Sequence, residues 1–354
     1  MKRINIILYD LLKTGGIRIL LEYANRLVMK NYDVNVYHSF VPYKLREKVT
    51  FTEKIETCVS KLYVLKNQNY YTKNYKSKYY KLKFIPFLSK IFIRNSDVTI
   101  FSYWPIAFTL KRIEEKCGKI LYLIQAYETW DASINMLHDT YKLGYCNIVT
   151  SKWLQEKILT MAGADSYIIY NGINYDKYHK IQKKKNSKNL TISFAYYDVD
   201  FKGTNDILNV LDKVIGENNN IKVISFGDSI ISDKKCYLNY VYQPDDEEII
   251  KIYNQTHIFI CASKEEGFYL MPAEAMACGC AVITTNVGAV PEYSQHMYDS
   301  LHFLPGDSNE LYKHLIYLIN NPDEIKRLSE NAYNNIRKKI NWDDSISKLE
   351  KLLY

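Results

Sequence analysis

Short apolar runs of strand length alternate with helically spaced apolar residues along most of the chain. Ile4–Tyr9 is a near-continuous apolar run that reads as a buried strand. Ile17–Lys30 repeats apolar residues at helical spacing through Ile19, Leu20, Tyr23, Ala24 and Leu27, and Tyr32–Tyr37 returns to strand character. The same alternation predicts strands over Asp97–Tyr103, Ile120–Ile124 and Cys146–Ser151, with helices over Pro105–Lys116 and Lys152–Met161. A second series starts at strand Leu190–Tyr196 and continues through helix Asn205–Gly216, strand Lys222–Phe226 and helix Asp245–Asn254. Strands interleaved with helices in this way predict the α/β class. The run Lys180–Lys188, with five lysines and no acid, reads as a solvated linker, and 354 residues suit two domains.

The densest pattern lies between His257 and Glu292. His257–Ala262 and Ala281–Thr285 read as strands, and Pro272–Cys278 between them is rich in helix formers, with Pro at a plausible first helical position and Gly279 as a stop. The first turn of such a helix carries unpaired N–H groups and the positive end of the macrodipole, which attract phosphate. Gly267 precedes it, where a missing Cβ lets a ligand approach the backbone. Glu266 falls in the turn and Glu274 in the first helical turn, so both carboxylates can border one pocket and accept hydrogen bonds from neutral hydroxyls. For two glutamates taken alone, a solvated surface pair is the plainer reading.

Two junctions in the first series stand at the corresponding place. Thr14-Gly15-Gly16 is a turn between the first strand and helix, where a Rossmann-like sheet meets its ligand. Gln125, Tyr127 and Glu128 follow the strand Ile120–Ile124, at a carboxyl end where ligand contacts gather.

Charge and cysteine content change the picture little. A net charge of +8 is modestly basic, and seven cysteines without framework spacing suggest reduced thiols rather than disulfides. Cys278-Gly-Cys280 reads as small residues ending a helix, not as metal ligands. The apolar start is cut short at Asp10, which predicts a strand rather than a signal peptide. No uninterrupted apolar stretch reaches the roughly 20 residues of a membrane span, so a cytoplasmic or peripheral location is expected. Lys61–Lys90 differs from the rest: eight lysines, no acid, and interleaved aromatics including Tyr70, Tyr75, Phe84 and Phe87. That composition suits an anionic membrane surface, with nucleic acid the less favoured partner and a solvated segment the plain alternative.

The string Glu266-Gly-Phe-Tyr-Leu-Met-Pro-Ala-Glu274-Ala-Met-Ala-Cys-Gly-Cys-Ala-Val-Ile, followed by Gly288-Ala-Val-Pro-Glu292, resembles the donor-site signature of family 4 glycosyltransferases of the GT-B fold. Tyr269 stands for a usual Gly, Met271 for a usual Pro, and Ala289 for the second Gly of the later motif. Gly15-Gly16-Ile-Arg18 is similar to the family's N-terminal glycine element. Asn171-Gly172-Ile173-Asn174 is similar to the segment that opens its second domain. Lys202-Gly203 matches the family's Lys-Gly pair, but its partner arginine position holds Tyr197. No histidine occupies residues 125–128, where many members have one.

The resemblance implies two Rossmann-like α/β/α domains facing a central cleft. The acceptor side would span residues 1–170 with a crossing C-terminal helix over 342–354, and the nucleotide-sugar domain residues 171–341. It implies a retaining transfer from a nucleotide-diphosphate sugar to a glycan or lipid-linked acceptor, in cell-surface polysaccharide or glycoconjugate synthesis, with no metal cofactor. Glu266 and Lys202 would be catalytic. Gly16, Lys202, Gly267, Phe268, Tyr269, Leu270 and Glu274 would hold the donor, with Glu274 on the ribose. Gly15, Arg18, Gln125, Tyr127 and Glu128 would line the acceptor or sugar side. Two rivals remain: a catalytically weak GT-B subunit supporting a partner transferase, and a dinucleotide oxidoreductase, which lacks a G-x-G-x-x-G after the first strand.

Overall fold

The computed structural model describes residues 1–8, 14–39, 80–129, 133–181, 189–217, 220–231 and 235–354. The chain divides into two compact units, Met1–Tyr170 with Asp343–Tyr354, and Asn171–Trp342. The expected strand end at Tyr9, the run 182–188 and the lysine and tyrosine stretch up to residue 79 lie outside the described residues.

The first unit runs β1 (Arg3–Leu8), α1 (Gly15–Met29), β2 (Asp33–Ser39), β3 (Lys81–Ile85), β4 (Val98–Phe101), α2 (Pro105–Lys111), β5 (Lys119–Ile124), α3 (Ile134–Tyr141), β6 (Cys146–Val149), α4 (Lys152–Ala162) and β7 (Tyr167–Ile168). Its seven described strands are parallel in the order β3-β2-β1-β4-β5-β6-β7, with Ile6 in register between Val36 and Ile100. Such strands are covered on both faces, which is why Ile4, Ile6, Ile7 and Leu8 are all buried. Side-chain caps start the crossover helices: the Thr14, Ser133 and Ser151 hydroxyls accept from the backbone N–H of Ile17, Met136 and Leu154.

The second unit runs β8 (Leu190–Ala195), α5 (Thr204–Glu217), β9 (Ile221–Gly227), β10 (Leu238–Tyr242), α6 (Asp246–Gln255), β11 (Ile258–Cys261), α7 (Leu270–Ala277), β12 (Ala281–Thr285), α8 (Val290–Tyr293), β13 (Leu301–Phe303), α9 (Ser308–Asn320) and α10 (Pro322–Lys339). Its parallel order is β10-β9-β8-β11-β12-β13. Asp245 and Glu248 form a reciprocal capping box at the start of α6. The last helix, α11 (Trp342–Leu352), returns the chain to the first unit. There Ile346 and Leu349 are buried, Lys2 Nζ donates to the Leu353 carbonyl at 2.7 Å, and Ser345 Oγ donates to the Tyr170 carbonyl at 2.6 Å.

Two local expectations are corrected. Gly15 and Gly16 are the first two residues of α1 rather than a turn before it, because the Thr14 cap lies directly ahead of them. Helix α7 begins at Leu270, two residues before the expected Pro272. Proline fixes no single start, since every N–H of the first turn lacks an intrahelical partner and its loss there is harmless. Glu274 is therefore the fifth residue of α7, one turn in, and not in its first turn.

Candidate functional site

In both sheets the strand order reverses direction beside the first strand of the unit, between β1 and β4 and between β8 and β11. Ligands of open α/β sheets bind outside the carboxyl ends of strands at such a switch point. In the second unit those ends carry the loop of residues 196–203 after β8 and the loop of residues 262–269 after β11. The two loops are pinned together. Lys264 N–H donates to the Phe201 carbonyl at 2.7 Å, and Gly203, at φ +68°, is pressed so close to β11 that a Cβ would stand 2.1 Å from the Ala262 carbonyl oxygen.

That pinning brings Lys202 to Glu266 across 64 residues of sequence, with Nζ 2.6 Å from Oε1. Both side chains are less than one-fifth exposed, at 19% and 17%. The ammonium also stands 5.1 Å from the Phe201 ring centroid and 5.4 Å from that of Tyr197, within cation–π range. Tyr197 is half-buried, its hydroxyl donating to Met271 Sδ at 3.6 Å. Burial raises the phenol's pKa, with Glu266, Asp228 and Glu274 adding to it, so the group stays neutral.

The approach to α7 is strained and braced. Tyr269 sits at φ +71°, the left-handed region that favours the glycine usual in the family motif. Two hydrogen bonds and burial hold it there: Ser263 N–H donates to its hydroxyl at 3.2 Å, Tyr293 O–H donates to its carbonyl at 2.8 Å, and the ring is buried. Beneath Gly267, Gly288 takes φ +58°, and a Cβ there would meet the Glu266 carbonyl oxygen at 2.9 Å. The N–H groups of Leu270 and Met271 open the helix, without a side-chain cap. Glu274 is deeply buried, 4% exposed, and Tyr253 O–H donates to its Oε2 at 3.5 Å.

In the first unit, Gln125 ties the switch point with neutral bonds. Its Nε2 donates to the Gly16 carbonyl at 3.0 Å and to Ser102 Oγ at 2.9 Å, joining the ends of β5 and β4 to the start of α1. A side chain at residue 16 would press on that amide, since a Cβ would lie 3.3 Å from Nε2. Arg18 is the fourth residue of α1 and half-buried. Tyr127 is buried, and its hydroxyl lies 2.6 Å from Nε2 of His138 on α3. His138 was not among the sequence candidates, because eleven residues separate it from Tyr127 and only helix formation after the Ser133 cap brings them together. Burial, then Lys142, lowers the His138 pKa, which keeps the ring neutral near pH 7. Glu128 is half-buried beside Tyr141, whose pKa burial and that carboxylate both raise.

Among the described residues no group of three or more His, Cys, Asp or Glu side chains could hold a metal ion. No described helix is long and apolar enough to cross a membrane.

Residues 174–335, which span nearly all of the second unit, match the family model of glycosyl transferases group 1. The second unit belongs to that family. This glycosyltransferase is 24% identical over 289 residues to the uncharacterized glycosyltransferase MJ1178 of Methanocaldococcus jannaschii, covering 67% of this chain and 82% of the relative. It is 21% identical over 221 residues to the capsular polysaccharide biosynthesis glycosyltransferase CapM of Staphylococcus aureus, covering 58% and 57% of the two chains. The crystal structure of Anabaena Alr3699/HepE in complex with UDP superposes with a TM-score of 0.76 at 14% identity, covering 100% of this chain and 99% of that one. The fold of the glycosyltransferase is thus GT-B, two Rossmann-like units each built on a parallel sheet. The family match over residues 174–335 favours a glycosyltransferase over the dinucleotide oxidoreductase reading.

Proposed function

We propose that this glycosyltransferase transfers a sugar from a nucleotide-diphosphate sugar, with retention of anomeric configuration and without a metal ion, to a glycan or lipid-linked acceptor of a cell-surface polysaccharide. The observation that carries the reading is the Lys202–Glu266 pair, set beside the opening of α7 at the switch point of the second sheet. The Lys202 ammonium and the first N–H groups of α7 stabilise charge growing on the leaving diphosphate. Glu266 binds hydroxyls of the transferred sugar, and Glu274, one turn into α7, the ribose. Tyr197 replaces a second cation with a neutral phenol, which leaves Lys202 as the cation of the loop of residues 196–203.

HepE binding UDP and the naming of CapM for capsular polysaccharide support the donor class and the pathway class. A cytoplasmic enzyme at an anionic membrane fits the segment that follows β3. Ile91 is 80% exposed and Phe87 48%, flanking the exposed Lys90 at the end of the lysine-rich stretch.

Transfer assays with UDP-, GDP- and dTDP-sugars, with the product anomer read by NMR, test the reaction class. An inverted product ends the retaining assignment. Activity is expected to persist through exhaustive EDTA treatment, and loss restored by Mg²⁺ or Mn²⁺ would contradict the metal-free reading. Sedimentation with vesicles tests the membrane: pelleting with anionic but not neutral lipid is expected, weakening as salt rises. Equal recovery on both vesicles, or no effect of replacing Lys73, Lys76, Lys78 and Lys81 by Gln, would rule it out.

A further inference from the structure

The Lys202–Glu266 contact places the two ends of a sugar nucleotide in competition for one ion pair. Lys202 Nζ lies 2.6 Å from Glu266 Oε1, with both side chains less than one-fifth exposed. The rings of Phe201 and Tyr197 stand 5.1 and 5.4 Å from Nζ, within cation–π range on the ammonium that meets the carboxylate. A diphosphate oxygen accepting a hydrogen bond from that ammonium would bring a second anion beside Glu266. Two anions at one cation repel, the more so where water is partly excluded. Tyr197, neutral through burial, offers no charge to relieve the conflict. A spent nucleoside diphosphate therefore binds against the Glu266 carboxylate. A sugar nucleotide does not, because its sugar hydroxyls donate to the carboxylate as the ammonium turns to phosphate.

We propose that Glu266 exchanges Lys202 for the hydroxyls of the donor sugar when the sugar nucleotide binds, and reclaims Lys202 once the sugar has been transferred. The carboxylate that holds the donor sugar is then also the group that expels the product nucleotide. No bond to carbon or phosphorus changes in the exchange: one ammonium N–H moves between two anionic oxygens, and sugar O–H groups fill the place it leaves. Discrimination between loaded and spent nucleotide thus resides in one side chain. The proposal rests on the donor-site reading above.

Calorimetric titration of UDP, GDP and dTDP into the wild type, Glu266→Gln and Lys202→Met chains tests it, with thermal melts to verify folding and Glu266→Ser as a second carboxylate-free variant. A neutral residue at 266 is expected to tighten binding of the cognate nucleoside diphosphate about tenfold, the equivalent of roughly 1.4 kcal/mol. Binding to Lys202→Met is expected to weaken by a similar factor or more. Unchanged or weaker diphosphate binding by both 266 variants, with Lys202→Met still impaired, would overturn the exchange and leave the donor site standing. Lys202→Met binding like wild type, or no nucleotide binding to any chain, would remove the donor site and the exchange with it.

Discussion

The two units repeat one strand order around the switch point and equip it with opposite chemistry. In the second unit, the loops after β8 and β11 meet in a charged pair, Lys202 with Glu266, packed between aromatic rings. In the first, a neutral amide, Gln125, ties the ends of β4 and β5 to α1, and a tyrosine–histidine contact, Tyr127 with His138, ties the end of β5 to α3. Parallel winding sets where a ligand can approach in both. Side chains at that place decide which one suits it: charge for a phosphate group, neutral donors and rings for hydroxyls. A charged contact in a partly dry site changes strongly when one partner is removed, whereas a neutral tie shifts by the worth of one hydrogen bond. The comparison can be broken by showing that both ends respond alike.

The largest expected effect is on turnover. Glu266→Ala and Lys202→Ala are each expected to lower kcat/KM by about 10²- to 10³-fold, as for loss of a group that contacts developing charge. Circular dichroism should show both variants folded. Parent-like kinetics in either would move the reaction away from this loop pair.

Next comes the backbone that pins the loops. Gly203→Ala puts a Cβ against the Ala262 carbonyl at a left-handed residue, and a loss of about 2–4 kcal/mol in unfolding free energy is expected by denaturant titration. Stability within 0.5 kcal/mol of the parent, on the scale of ordinary surface substitutions, would mean the loops are not held there.

A smaller effect distinguishes the units by pH. His302 lies within 2.9 Å of Ser294 Oγ and 2.8 Å of Ser300 Oγ, facing His296 and His314. Burial, then the two neighbouring histidines, lowers its pKa to about 4. A histidine with a depressed folded pKa stabilises the fold above its unfolded value near 6.5, and that contribution disappears as pH falls toward 4. The second unit should therefore lose up to about 3 kcal/mol over this window, and His302→Asn should flatten the pH profile. A profile unchanged by the substitution would mean that other groups carry the acid sensitivity.

Smallest is the neutral tie. Gln125→Ala removes two hydrogen bonds and should cost about 1–2 kcal/mol of stability, with KM for the acceptor rising more than kcat falls. A collapse of kcat matching that of Lys202→Ala would erase the distinction between the two switch points.

How much of this was legible in the sequence varied with burial. Strand β12, Ala281–Thr285, is buried on both faces, so its β-branched run marks both ends. Strand β10, Leu238–Tyr242, has one buried residue, Leu238, and lies at a sheet edge, so no apolar pattern announced it. Strand β3, Lys81–Ile85, is likewise an edge strand, hidden within a lysine-rich run of sequence, and its own Lys81 and Lys83 are exposed. The start of α7 was missed because proline is tolerated anywhere in a first turn. At the candidate site, the residue types around Glu266 could be read from one continuous motif. Its contact with Lys202 could not, because that distance depends on Gly203 and Lys264 locking two loops together. Nothing in sequence spacing links Tyr127 to His138, and their pairing exists only once α3 has folded.

The central claim is that the charged switch point of the second unit holds the donor. Donor affinity measured by calorimetry for Lys202→Met beside Gln125→Ala, with whichever of the UDP-, GDP- or dTDP-sugars binds the parent, tests it directly. Lys202→Met is expected to weaken donor binding at least about tenfold while Gln125→Ala stays within about threefold of the parent, a difference near 0.7 kcal/mol or more. Equal losses in the two variants, or a loss in Gln125→Ala alone, would contradict it.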